Sequence, residues 1–192
     1  MNLPRLIVPK RHPDARGWFA ETFNETRLRA LGIDCHFVQE NQSHSRCAGT
    51  LRGLHFQVPP FAQAKLISVV HGRAFDVAVD VRRGSPTFGK HTSAELSAEK
   101  GFQLYIPTGF AHGILTLEND VVLNYKVSEY YAADYEGGIR WDDPDIGVNW
   151  PAVPGETVLS DKDRQLPLLK DFNSPFPYDG TPLQPLSAPE GF

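Results

Sequence analysis

The chain has 192 residues, 41% of them hydrophobic and 22% charged, with a net charge of −4. This suits one domain with a core of ordinary size, and the acidic balance removes the electrostatic case for a nucleic-acid binder. No apolar run is long enough for a transmembrane helix, and Met1 to His12, with Pro4, Pro9 and several charges, lacks the apolar stretch of a secretion signal.

In chain order, Asn24 to Leu31 is the one short helix candidate, with Asn24 as its cap and Gly32 as its stop. Leu66 to Val70 is a short apolar run closed by the turn signal His71-Gly72. Phe75, Val77, Val79 and Val81 alternate with Ala74, Asp76, Ala78 and Asp80, which predicts a strand with one small, polar face. Gly84-Ser85-Pro86 and Pro107-Thr108-Gly109 punctuate the middle of the chain, and Val121, Leu123, Tyr125 and Val127 alternate after a turn at Glu118-Asn119-Asp120. Many short strands with regular turns predict an all-β sandwich or barrel, a jelly roll, with little helix. From Ser174 onward five prolines deny the backbone regular hydrogen bonds, so residues 174–192 read as an extended or loose tail, one that could pack on a partner subunit. Residues 1–192 therefore read as a single jelly-roll domain with a Pro-rich tail. Cys35 and Cys47 form neither a CxxC nor a zinc spacing. Two free thiols in a reducing compartment are expected in preference to one disulfide, which points to the cytoplasm.

Four segments place charged or polar groups among apolar ones, where burial is costly without a partner. They are DARGWFAE from Asp14, QEN from Gln39, LRGLHFQ from Leu51 and IPTGFAHG from Ile106. With FDVAVDVRRGSPTFGK, LNYKVSEYY, EGGIRWDDPDIGVNWP and LSDKD, all in order from about Asp14 to Asp163, the chain resembles the dTDP-4-dehydrorhamnose 3,5-epimerases. That family is a branch of the cupin-like jelly rolls (double-stranded β-helices). The resemblance implies a cofactor-independent isomerase acting on a dTDP-linked 4-keto-6-deoxy sugar, in dTDP-L-rhamnose biosynthesis. The ketone at C4 acidifies the protons on C3 and C5, so inversion needs a base on one face, an acid on the other and a positive group near the enolate oxygen. No redox cofactor is needed, because no net electrons move.

By its chemistry alone His55 reads as well as a hydrogen-bonded strand histidine; the motif around it implies the base. Asp163 in LSDKD matches the acidic partner of that histidine, while Asp161 reads as a solvated loop residue. Tyr125 matches the acid on the opposite face, although periodicity alone makes it a core aromatic. Lys65, which leads into an apolar strand, matches the lysine near the enolate oxygen. Asp76 and His112 match residues lining the pocket. Arg16, Glu21, Gln39, Glu40, Asn41, Arg52, Glu136 and Lys162 match positions that hold the nucleotide and diphosphate, with Glu40 standing where the family often has Asp. Arginine suits a diphosphate because its planar fork bonds two oxygens. Arg52 and His55 are three apart, so a regular strand sends them to opposite faces. Either Gly53 allows a bulge, or Arg52 serves the neighbouring subunit. The family is dimeric, and the resemblance implies a homodimer.

Many cupins hold a metal through three histidines and a glutamate. Gly49 leads into His55 at the spacing of the first cupin motif, and Gly101, Pro107, Gly109 and His112 fit the second. Gln57 stands where the second histidine belongs, and Phe61 or Ala62 where the glutamate belongs. Two imidazoles and an amide are a poor set for a divalent ion, so no metal is expected. The rival readings are an epimerase that inverts one centre only, for an antibiotic or other deoxysugar, and a nucleotide-sugar binding module without catalysis.

Overall fold

Period-two alternation marks the clearest strands of this chain, and the computed structural model, which describes residues 3–192, has thirteen strands among them. One sheet has the order β13 (Glu190–Gly191), β1 (Arg5–Val8), β9 (Gln103–Ile106), β6 (Lys65–His71), β11 (Val121–Val127) and β4 (Gln39–Ser45). The other runs β12 (Glu136–Gly138), β5 (Leu51–Gln57), β10 (Phe110–Thr116), β7 (Arg73–Asp80) and β8 (His91–Ser97). A hairpin of β2 (Arg11–Asp14) and β3 (Gly17–Ala20) stands apart as a third, two-stranded sheet. The two large sheets form the jelly roll.

Strand β7 shows how the pattern is used. Ala74 and Ala78 face the core between the sheets, against Ile67, Leu104, Phe110 and Leu123. Val77, Val79 and Val81 face the other way, under Leu54, Phe56, Ile139 and Phe176. Both faces are therefore buried, so Asp76 and Asp80, with no exposed surface, need partners. Asp80 has them in Arg82, Ser85 and Thr87. A third cluster, Ile7, Leu28, Ile33, Leu66 and Tyr105, seats α1 (Glu25–Ala30) on the outside of the six-stranded sheet. Asn24 caps that helix by accepting from Arg27 N, and Gly32 follows it with φ +82°.

The tail is extended, but it docks on its own chain. Phe176 packs edge-on against Phe56 at 5.7 Å and is buried with Leu183. Arg83 N donates to Phe176 O, and β13 pairs in parallel with β1, where Glu190 accepts from Arg5. Proline removes donors but not apolar side chains, so burial holds what the backbone cannot. This tail covers one edge of the six-stranded sheet. The opposite edge, β4, has no further strand beside it among the described residues.

Candidate active site

His55 lies in mid-β5, paired with His112 on β10 and Gly138 on β12. Between the pairs His112–His55 and Ile114–Arg52, β10 advances two residues and β5 three. The extra residue is a bulge at Gly53, whose φ is +121°. A β-carbon at Gly53 would lie 2.6 Å from His112 O and 2.7 Å from Gly113 Cα, so only glycine fits. The bulge turns Arg52 and His55 to the same side, and both line one cavity. Arg52 thus lines the cleft of its own chain.

That cleft opens between the sheets as two adjoining lobes of about 270 Å³ each, with His55, Lys65 and Tyr125 lining both. The first lobe adds Ser43, Arg52, His112, Ser160, Lys162 and Asp163 above an aliphatic floor of Ile67, Ile114 and Leu123. The second adds Gln39, Asn41, Gln63, Tyr131 and Glu136. His55 projects from the five-stranded sheet and Tyr125 and Lys65 from the six-stranded one, so the histidine and the tyrosine face each other from opposite walls.

Asp163 arrives on a single-turn helix, α2 (Asp161–Arg164), where Asp161 had read as a solvated loop residue. Ser160 caps it by accepting from Asp163 N. The turn leaves Asp161 exposed and buries Asp163 against His55 Nε2. Burial alone would raise the Asp163 pKa, but its hydrogen bond to His55, the Ser160 hydroxyl and the Gly53 N–H hold it below the usual carboxylate range. A carboxylate only accepts, so neutral His55 keeps its proton on Nε2 and a lone pair on Nδ1.

Lys65 opens β6, with Nζ 3.4 Å from His55 O. Burial draws its ammonium down to about 8, against the pull of Asp76 and Glu136. Burial pushes the Tyr125 phenol up, which keeps it protonated. Glu136 accepts from Tyr131 OH at 2.9 Å and pairs with Lys162. Burial opposes its ionisation, but those two partners hold its pKa low. Arg52 makes one long hydrogen bond, 3.4 Å to Ser45 Oγ, and no ion pair among the described residues.

Four expected site residues lie elsewhere in this chain. Alternation along β4 turns Gln39, Asn41 and Ser43 inward and Glu40 outward, where it pairs with Lys126 at 2.7 Å. Arg16 sits at the hairpin turn, 90% exposed and bound to Asp14. Glu21 follows β3 and holds Arg27 and Asn24. Asp76 is wholly buried, lines neither lobe, and bonds His112, which does line one. Conversely, Ser43, Gln63, Tyr131 and Ser160 line the lobes without having been expected. Ser43 was legible, because it continues the inward series of Gln39 and Asn41; Tyr131 and Gln63 come from irregular segments with no period to read. Gln57, at the second cupin ligand position, spends its amide on Phe61 O, Tyr130 O and Ala132 N. Among the described residues no three His, Cys, Asp or Glu side chains come together as metal ligands would. Both cysteines are free thiols, and no described helix is long and apolar enough to cross a membrane.

Fold and site together define a class: a cupin-like jelly roll whose cleft sets a carboxylate-bound histidine opposite a tyrosine, with a half-buried lysine beside them. A family profile for dTDP-4-dehydrorhamnose 3,5-epimerase matches residues 4–171. A protein of that name from Sinorhizobium fredii is 51% identical over 174 residues, 91% of this chain and 89% of that protein. The crystal structure of the Bacillus anthracis enzyme of that name, with TDP and PPi bound, superposes with a TM-score of 0.83 at 48% identity, covering 86% of this chain and 93% of that one. A Legionella pneumophila dTDP-6-deoxy-D-glucose-3,5-epimerase, in complex with dTDP-4-keto-L-rhamnose, gives 0.82 at 40% identity over 88% and 95%. This chain belongs to the dTDP-4-dehydrorhamnose 3,5-epimerase family.

Proposed function

We propose that the chain epimerises dTDP-4-dehydro-6-deoxy-D-glucose at C3 and C5 to dTDP-4-dehydro-L-rhamnose, without a cofactor, as a step toward dTDP-L-rhamnose. The observation that carries the proposal is the placement of His55 and Tyr125 on opposite walls of one cleft. His55 Nδ1 takes the proton from C3 or C5, and the electron pair moves onto the C4 oxygen as an enolate. The Lys65 ammonium stabilises that oxygen, as a fixed charge in a water-poor site does best. Tyr125 then returns a proton to the opposite face, and solvent exchanges both groups back to their starting states. Asp163 fixes the His55 tautomer and balances the imidazolium that forms. Arg52 and Lys162 offer the diphosphate its cations, and Gln39, Asn41 and Glu136 offer the nucleoside its polar partners.

We also propose a homodimer in the cytoplasm, each protomer one jelly-roll unit with its tail at 174–192. The β2–β3 hairpin presents Trp18 at 55% and Phe19 at 70% exposure beside Arg16, while β4 keeps a bare edge. A bare edge and an exposed apolar arm are liabilities that exchange between two copies removes. Arg16 and Glu21 would then complete the partner's cleft. The direct test of activity is incubation with the dTDP-4-keto sugar followed by product analysis. Conversion to the L-rhamno product is expected; saturable binding without conversion identifies a binding module instead. Sizing the Trp18→Glu/Phe19→Glu chain tests the assembly: a monomer with weak activity is expected, and an intact dimer contradicts the role of the arm.

A further inference from the structure

The chain between β11 and β12 brings Tyr131 to the second lobe, yet residues 129–132 belong to no strand or helix. No strand ladder holds their backbone, so side chains must. Three glutamines do. Gln63 Nε2 donates to Glu129 O at 2.7 Å, Gln57 Nε2 donates to Tyr130 O at 3.2 Å, and Gln39 Oε1 accepts from Tyr131 N at 3.2 Å. Gln57 Oε1 also accepts from Ala132 N at 2.8 Å.

Gln57 differs from the other two. It ends β5, two residues past His55, and is 3% exposed. Its Nε2 makes a second donation, to Phe61 O at 2.7 Å. Both amide hydrogens are therefore engaged by backbone carbonyls, and the oxygen by a backbone N–H. No donor remains for a ligand, although the residue borders the second lobe. Its bonds to Tyr130 and Ala132 fall on either side of Tyr131, so they fix the main chain from which that ring springs. Tyr131 itself is 60% exposed, and its hydroxyl is tied to Glu136. We propose that Gln57 is a positioning residue: its buried amide clamps the backbone on both sides of Tyr131 and sets that ring as a wall of the second lobe, without touching the ligand. Where a metal-binding cupin would place its second histidine, this chain has a strut. The second lobe offers the nucleoside its partners, so the clamp governs nucleotide affinity rather than the chemical step. That consequence rests on the epimerase reading; the clamp does not.

The test is Gln57→Met in the full chain, which keeps the length of the side chain and removes its hydrogen bonds. The Kd for dTDP is expected to rise about 10-fold, because a wall once fixed must now be ordered on binding. The kcat should stay within about threefold, since no group at the reacting carbons changes. In a Tyr131→Ala background, adding Gln57→Met should weaken dTDP by less than about twofold, because the two residues act as one unit. Losses that multiply in the double variant would overturn the proposal. Amide hydrogen exchange reads the clamp without any ligand. The Ala132 N–H should be protected in the wild-type chain and exchange about 10-fold faster in Gln57→Met, beyond any change at β7, whose amides report global unfolding. An equal change at both places makes Gln57 a residue of general stability and overturns its role at Tyr131. Should Gln57→Met fail to fold, the wild-type chain still decides: an Ala132 N–H that exchanges as freely as an unbonded amide contradicts the clamp. If the wild-type chain does not bind dTDP, the epimerase reading fails while the exchange comparison stands.

Discussion

Gly53→Ala should damage both stability and catalysis, and the structure says why. The new β-carbon would meet His112 O at 2.6 Å and Gly113 Cα at 2.7 Å, both backbone atoms of β10 that cannot swing aside. A φ of +121° is itself strained for alanine, by about 1–3 kcal/mol. Prising β5 from β10 to relieve the contacts adds a similar amount, so the total is about 2–6 kcal/mol. A domain of this size loses about 2–4 °C of melting temperature per kcal/mol, which puts the fall near 10 °C. The same shift moves Arg52 relative to His55, and a displacement of about 1 Å in a catalytic constellation costs on the order of 100-fold in rate. Thermal unfolding followed by circular dichroism and steady-state kinetics on the surviving fold would measure both. If the variant melts within about 2 °C of the parent and turns over at the parental rate, the bulge is not what aligns the site.

Asp163→Asn removes a charge-assisted hydrogen bond of about 1.5–3 kcal/mol, which converts to roughly a 10- to 150-fold loss in kcat/KM; a loss below about threefold in steady-state assays contradicts the pairing with His55. Tyr125→Phe deletes the acid but not the base. Substrate deuterated at C3 should therefore lose its label by proton return on the His55 face without inversion, and inversion at the wild-type rate would remove Tyr125 from the mechanism. Acid should destabilise the fold. Asp80, Asp163 and Glu136 all have depressed pKa values in the folded state. Their contribution is present above the unfolded carboxylate range and is lost as pH falls through the folded values. Melting temperatures should be flat near neutrality and fall below about pH 4; a rise on acidification would contradict those carboxylate environments.

Much of the fold was legible because its period was clean. Val121 to Val127 and Phe75 to Val81 became strands as their alternation predicts, and Asn24 capped a helix ended before Gly32. Within the site the same rule succeeded or failed residue by residue. It could have separated Glu40 from Gln39 and Asn41, since neighbours on a strand face opposite ways. It failed at Arg52, because a bulge is a register event set by two strands, and one sequence shows only one of them. Asp163 was visible through its motif, but the helical turn that buries it depends on four residues and a serine cap, too short to announce itself. Asp76 looked like a wall residue because its strand face is small and polar. That it lies buried beneath the lining, bonded to His112, is a matter of depth, which alternation does not encode. The docking of the tail was hidden because its prolines dominate its composition, while Phe176 and Leu183 do the holding.

The most direct test of the central claim, that His55 removes protons from both centres of the sugar, is positional labelling. The dTDP-4-keto sugar is incubated with the chain in deuterated water, and deuterium is located in the product. Wild-type protein should place label at both C3 and C5, and His55→Ala should place it at neither. Label at one carbon only in the wild-type product, or label persisting at the wild-type rate in His55→Ala, would contradict the account.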